Sequence, residues 1–171
     1  MSACKVILLW QSIRSLYTLA VGYLAVAFST APLHVIYDLW VLFVVASDED
    51  RQLFITVDNE MELFIDGERH KISDDPSAKD WTQTKKVILP AKSRVIAVKA
   101  TDRGLWAGLL ASVTGDSLLS DRTWKVSTAE VDGWTAPDFD DSQSQPVTEI
   151  GQHGMDPWKT RSMISPKAMW I

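Results

Sequence analysis

The chain is poor in the residues that build cross-links and reactive centres. It has one cysteine in 171 residues, Cys4, so it forms no internal disulfide and no cysteine-ligated zinc site. Its histidines, His34, His70 and His153, stand alone, and none falls in a metal-ligand spacing such as HExxH. The only asparagine is Asn59, and Met61 two places later excludes a glycosylation sequon. No Gly-rich phosphate loop occurs, and Thr114-Gly115-Asp116-Ser117 is not a nucleophile elbow. Basic side chains are outnumbered, 17 Lys and Arg against 22 Asp and Glu, a net charge of -5. That balance speaks against non-specific nucleic-acid binding, which needs cations to neutralise phosphates. Carboxylates are plentiful, but no spacing singles out a glycosidase-type pair. The sequence therefore predicts a binding or structural protein rather than an enzyme.

What is present is a globular composition, 46% apolar and 23% charged, enough for one compact domain with an appendage. Tryptophan is abundant at eight residues. Each ring can bury roughly 150–250 Å², so these positions should dominate the core. The charge is unevenly spread. Residues 1–46 carry only Lys5, Arg14 and Asp38, whereas residues 47–171 carry 21 acids and 15 bases.

Leu16–Ala31 is a continuous apolar run behind Lys5 and Arg14, ending in Ser29-Thr30-Ala31. A basic flank, an apolar stretch and small residues make a secretory signal, with cleavage after Ala31, or a membrane anchor. Lys5 and Arg14 before the run and Asp48, Glu49 and Asp50 after it place the acidic domain outside the cytoplasm. A second run, Leu33–Ala46, is shorter than the ~20 residues a span needs and contains Asp38. Two further readings stand beside the first: a two-span hairpin, or Val35–Ala46 packed as a strand or helix of the domain.

Beyond Ala46, short apolar segments are broken every 8–12 residues by turn chemistry, the mark of an all-β sandwich or barrel. The predicted strands are 53–57, 61–65, 68–72, 85–89, 94–101, 107–113, 123–127 and 167–171. Asp66-Gly67 is the strongest hairpin signal, because both central turn positions want positive φ. Arg94–Thr101 is apolar enough to be buried on both faces. No helix is predicted in this part. A sandwich built from these strands alone has unfinished edges, which Val35–Ala46 or a partner would complete.

Several of these segments resemble galactose-binding-like jelly-roll domains. Val57–Gly67 is similar to that family's "VDDEAELYVNG" hairpin, and Arg94–Ala100 to its "NVIAVKA" strand. Ala107–Ala111 is similar to "AGLLA", Ser120–Ser127 to "TDxTWKVS", and Gly133-Trp134 with Phe139–Ser142 to "GWxxxxFDDS". Gly151–Gly154 with Pro157-Trp158, and Ala168–Ile171, resemble the closing elements. The resemblance spans about residues 51–171. Where the family usually has a Trp after "FDDS", this chain has Ser144-Gln145-Pro146. The resemblance implies a jelly-roll-like antiparallel β-sandwich over 47–171, used as a non-catalytic carbohydrate-binding or adhesion module, with carbohydrate or glycoprotein as partner. It also implies that Trp124, Trp134, Trp158 and Trp170 pack in the core. The alternative is a structural or protein-interaction sandwich from a larger protein.

Sugar recognition uses an aromatic face for the C–H side of the ring and planar polar groups for the hydroxyls. Asp102, Arg103 and Trp106 supply these within five residues, and Trp81 beside Asp80 is a second such place. The competing reading folds both rings back over the ends of the sandwich. Asp138, Asp140 and Asp141 are the candidate oxygen ligands for a calcium ion, set against ordinary solvated loop acids.

Overall fold

The computed structural model describes residues 5–12, as backbone, and 51–171. The segments 16–31 and 33–46 lie outside the described residues, so the readings placed on them have no structural counterpart here. Eleven strands are described: β1 (Lys5–Ser12), β2 (Arg51–Asp58), β3 (Glu60–Ile65), β4 (Glu68–Arg69), β5 (Lys85–Leu89), β6 (Val95–Asp102), β7 (Gly108–Val113), β8 (Lys125–Ser127), β9 (Gln145–Pro146), β10 (Gly151–Gln152) and β11 (Met169–Trp170). Three short 3₁₀ turns, Lys71–Asp74, Pro76–Lys79 and Thr114–Asp116, are the only helical pieces among the described residues. No described helix is long and apolar enough to cross a membrane.

The strands form a jelly-roll-like antiparallel sandwich. One sheet runs β4-β3-β6-β1-β8-β9, the other β5-β2-β7, and β10 and β11 form a small ribbon. Period-two patterning dictates which side chains meet. Leu53, Ile55 and Val57 of β2, Met61, Leu63 and Ile65 of β3, Ile96, Val98 and Ala100 of β6, and Leu109, Ala111 and Val113 of β7 all join one core. Trp124 lies within it, and its indole N–H donates to the Leu119 carbonyl at 2.9 Å. Burying a large apolar side chain of this kind contributes about 1.5–3 kcal/mol.

Each sheet also buries part of its outer face. Val95 and Ala97 of β6 pack with Phe64 of β3 and with Trp134 and Phe139 of the 128–142 loop, so β6 is buried on both faces, as its composition predicts. On the other sheet, Leu110 packs with Trp158, Ile164, Ala168 and Trp170, and Phe54 and Trp81 lie against them. Trp158 and Trp170 stack at 4.6 Å. Gly108 is needed here, because a Cβ at that position would stand 3.0 Å from Trp170 and 3.2 Å from Trp158. The four tryptophans expected to pack are all buried.

The Asp66-Gly67 hairpin forms as its residues demand, with φ of 50° and 91°. Its return strand stops at Arg69, where the chain turns into 3₁₀ geometry capped by His70. The missing inner strand comes from an unexpected place. β1 lies between β6 and β8, with Lys5 opposite Asp102, Ser12 opposite Val95 and Leu9 opposite Val126. From the sequence, Lys5 is the basic flank of an apolar run, and Val35–Ala46 or a partner is the expected source of this strand. At the other end of the chain, Ile171 exchanges backbone hydrogen bonds with Leu109 at 2.8 and 3.0 Å, continuing the sheet beside β7.

Candidate functional site at one end of the sandwich

β2, β6 and β7 bring Asp58, Asp102 and Gly108 together at one end of the sandwich. Asp58 and Asp102 are the last residues of β2 and β6, and Asp58 pairs with Gly108, the first residue of β7. The loop 103–107 rises from there. Its tip is Leu105, 93% exposed, followed by Trp106, 61% exposed. A bare indole face in that position is unusual for a ring that normally buries its body.

The polar groups beneath the loop are fixed by short bonds. Asn59 accepts from the Arg103 backbone N–H at 2.7 Å, and its amide donates to Asp58 Oδ1 at 2.7 Å. Asp58 Oδ2 accepts from Trp158 Nε1 at 2.8 Å. Asp102 Oδ1 accepts from the Gly104 N–H at 2.7 Å; its other oxygen accepts no hydrogen bond among the described residues. The Arg103 guanidinium reaches Glu60 at 2.7 Å, where Lys79 also approaches at 3.6 Å. Burial pushes the Asp58 carboxyl above the usual aspartate range; the Trp158 hydrogen bond opposes that rise and the charge of Asp102 adds to it.

Beside these carboxylates lies a cavity of about 200 Å³. Among the described residues, Asp58, Asp102 and Thr148 are its polar lining, and the others are apolar, including Leu109, Val126, Val147 and Ile171. Ala107, next to Trp106, is part of its wall. The arrangement combines an open aromatic face, fixed carboxylate and amide groups, and an apolar recess.

Of the residues singled out from the sequence, Asp102, Arg103 and Trp106 do share this end. Arg103 is committed to Glu60, so its backbone rather than its side chain serves the cluster. Trp81 stands elsewhere. It lies against the outer cluster of the three-stranded sheet, with the Arg161 guanidinium 5.2 Å over its ring and its carbonyl accepting from Thr56 Oγ1 at 2.7 Å. Its face is occupied. The loop that carries it is clamped by Lys85, a buried amine donating to the carbonyls of Asp80 and Gln83; burial holds that amine below the usual lysine range.

The three aspartates proposed for calcium are not gathered into a metal site. Among the described residues no group of three or more His, Cys, Asp or Glu side chains is placed to hold an ion. Asp140 instead closes an Asx turn, accepting from the Ser142 N–H at 3.0 Å, and this bond holds its carboxyl below the usual range. Asp138 is exposed, and Asp141 caps a turn through its carbonyl, which accepts from Ser144.

Asp58 and Asn59 fall between the predicted strands 53–57 and 61–65, outside the candidate site residues; the signal available for them is the chain's lone asparagine seated between two acids. Trp158, expected as core, also anchors Asp58 through its indole N–H.

The fold defines a class: the jelly-roll-like antiparallel β-sandwich domains. No protein-family model matches the chain, and no curated protein matches its sequence. Solved structures do. The lectin of Pleurotus ostreatus, in complex with GalNAc, superposes with a TM-score of 0.63 at 17% identity over 98% of this chain. The α-L-rhamnosidase of Streptomyces avermitilis, complexed with L-rhamnose, gives 0.56 at 19% identity over 95%. A GH78 family rhamnosidase of Bacillus sp. GL1 gives 0.60 at 18% identity over 92%. The chain spans 42% of the lectin and 14% and 18% of the two rhamnosidase chains. At these identities the likeness is one of fold.

Proposed function

We propose that the chain is a non-catalytic carbohydrate-binding module of the galactose-binding-like jelly-roll group. Its site is the end formed by Asp58, Asn59, Asp102 and Trp106. The observation that carries this reading is the exposed Trp106 on the 103–107 loop, whose base carries carboxylate and amide groups already held in place, the two components that sugar recognition uses. The sugar-related proteins that share the fold support it. GalNAc and L-rhamnose, named for two of those structures, are the first ligands to test.

The proposed location is outside the cytoplasm, on the apolar runs 16–31 and 33–46 read as a targeting or anchoring segment. With Lys5 held in the sandwich by β1, the charge order of Lys5 and Arg14 against Asp48, Glu49 and Asp50 does not orient a single span. Membrane contact would come through the apolar runs within residues 1–46, and a glycoprotein would be a natural partner there.

The test is a glycan array probed with the full chain, with and without calcium, followed by titration of any glycan retained. Trp106→Ala should weaken binding at least tenfold and leave the thermal transition where it is, since the ring is mostly solvated. Undiminished binding by that variant would remove the site from this end. An array with no retained glycan would favour the alternative, a protein-interaction sandwich using the exposed Leu105-Trp106 tip.

A further inference from the structure

The cavity beside Trp106 is shaped for something other than a sugar ring. Its volume is about 200 Å³, and eight of the eleven described residues that line it are Ala, Gly, Val, Leu or Ile. Hydroxyl-rich rings gain little from such walls, because every hydroxyl taken inside needs a partner. The cavity can offer few. Both Asp58 oxygens are occupied, by Asn59 and Trp158, which leaves, among the described residues, Asp102 Oδ2 and Thr148. An apolar cavity of roughly 150 Å³ is known to stay dry and to take a benzene-sized group. This one is of that order.

We infer that the site takes a saccharide bearing an apolar appendage, an alkyl or aryl group of about six carbons. The appendage fills the cavity between Leu109, Val126, Val147 and Ile171, while the sugar lies outside against Trp106 and the free Asp102 oxygen. The inference rests on the carbohydrate reading and names the ligand class within it. Burial of each methylene contributes about 0.8 kcal/mol, close to fourfold in affinity. A chain-length series therefore reads the cavity directly.

The experiment titrates the full chain with methyl, butyl, hexyl and octyl glycosides of GalNAc and of L-rhamnose, with hexanol as the sugar-free probe. Affinity should climb about fourfold per methylene and level off near hexyl. In Ala107→Leu and Thr148→Phe, which fill the cavity from a loop and from an exposed position, the hexyl-to-methyl ratio should fall towards one. Thermal melting of both variants checks that each folds. Equal affinity along the series would overturn the inference and leave the carbohydrate reading standing. A climb that continues to octyl, with unchanged ratios in both filled variants, would overturn it as well, by showing that the tail binds elsewhere. Hexanol binding as tightly as hexyl glycoside would uphold the apolar occupant and overturn the saccharide part. No binding by any probe would overturn both.

Discussion

Asp58 is the residue on which most of the site's order converges. It ends β2, and its carboxylate accepts from Asn59 on one oxygen and from Trp158, a hundred residues away, on the other. Burial still wins over these bonds and raises its affinity for a proton. The sign of the stability effect follows. A carboxyl that titrates higher in the fold than in the unfolded chain holds an extra proton when folded, so its contribution falls as pH rises through that interval and is flat above it. Asp80, Asp116, Asp140 and Glu149 act oppositely: hydrogen bonds lower their carboxyls, and the stability they contribute is lost as pH falls. Melting curves of the wild type and Asp58→Asn, taken from neutral pH to about pH 4, separate the two. The wild type should gain on the variant as pH drops. A constant difference would show that Asp58 titrates as an ordinary aspartate.

At the scale of elements, β1 decides how complete the larger sheet is. It gives β6 and β8 their partners, in a sheet that would otherwise present two open edges in its middle. Leu9 is opposite Val98 on one side and Val126 on the other, so its backbone sits at the centre of the ladder. Proline there removes a donor and fits poorly in a central strand. Leu9→Pro should lower the melting temperature by several degrees, as about 1 kcal/mol does in a domain of this size. It should also speed amide exchange in β6 and β8. Unchanged exchange in both strands would show that β1 is not held between them. The same element explains a limit of sequence reading. A strand of eight residues adjoining a long apolar run gives no local sign that it belongs to a domain starting at Arg51.

For the whole molecule, the position of β1 constrains topology. The chain leaves the sandwich at Ser12 and re-enters it at Arg51, so under the membrane contact proposed above both ends of the intervening segment would lie on the domain's side. Epitope tags at residue 1 and residue 171 should share their fate under protease, both digested on intact cells for the location proposed above. Opposite fates for the two tags would mean that β1 and β2 do not belong to one folded unit. The division of labour across the molecule is also visible at this scale. Trp124, Trp134, Trp158 and Trp170 organise the core and the outer faces, whereas Trp106 alone among the described tryptophans shows most of its ring to solvent.

Period-two alternation and turn chemistry were enough to place β2, β3, β5, β6 and β7 and the Asp66-Gly67 hairpin, since these depend on neighbours in the chain. The packing of four tryptophans and the grouping of Asp102, Arg103 and Trp106 were legible for the same reason, being local or carried by resemblance. Only the tertiary structure decided that Asp58 and Trp158 would bond, that Arg161 would cover Trp81, and that Lys5–Ser12 would enter the sheet. Each of these joins segments far apart in sequence, and such contacts are set by the geometry of packed layers, which no local pattern encodes.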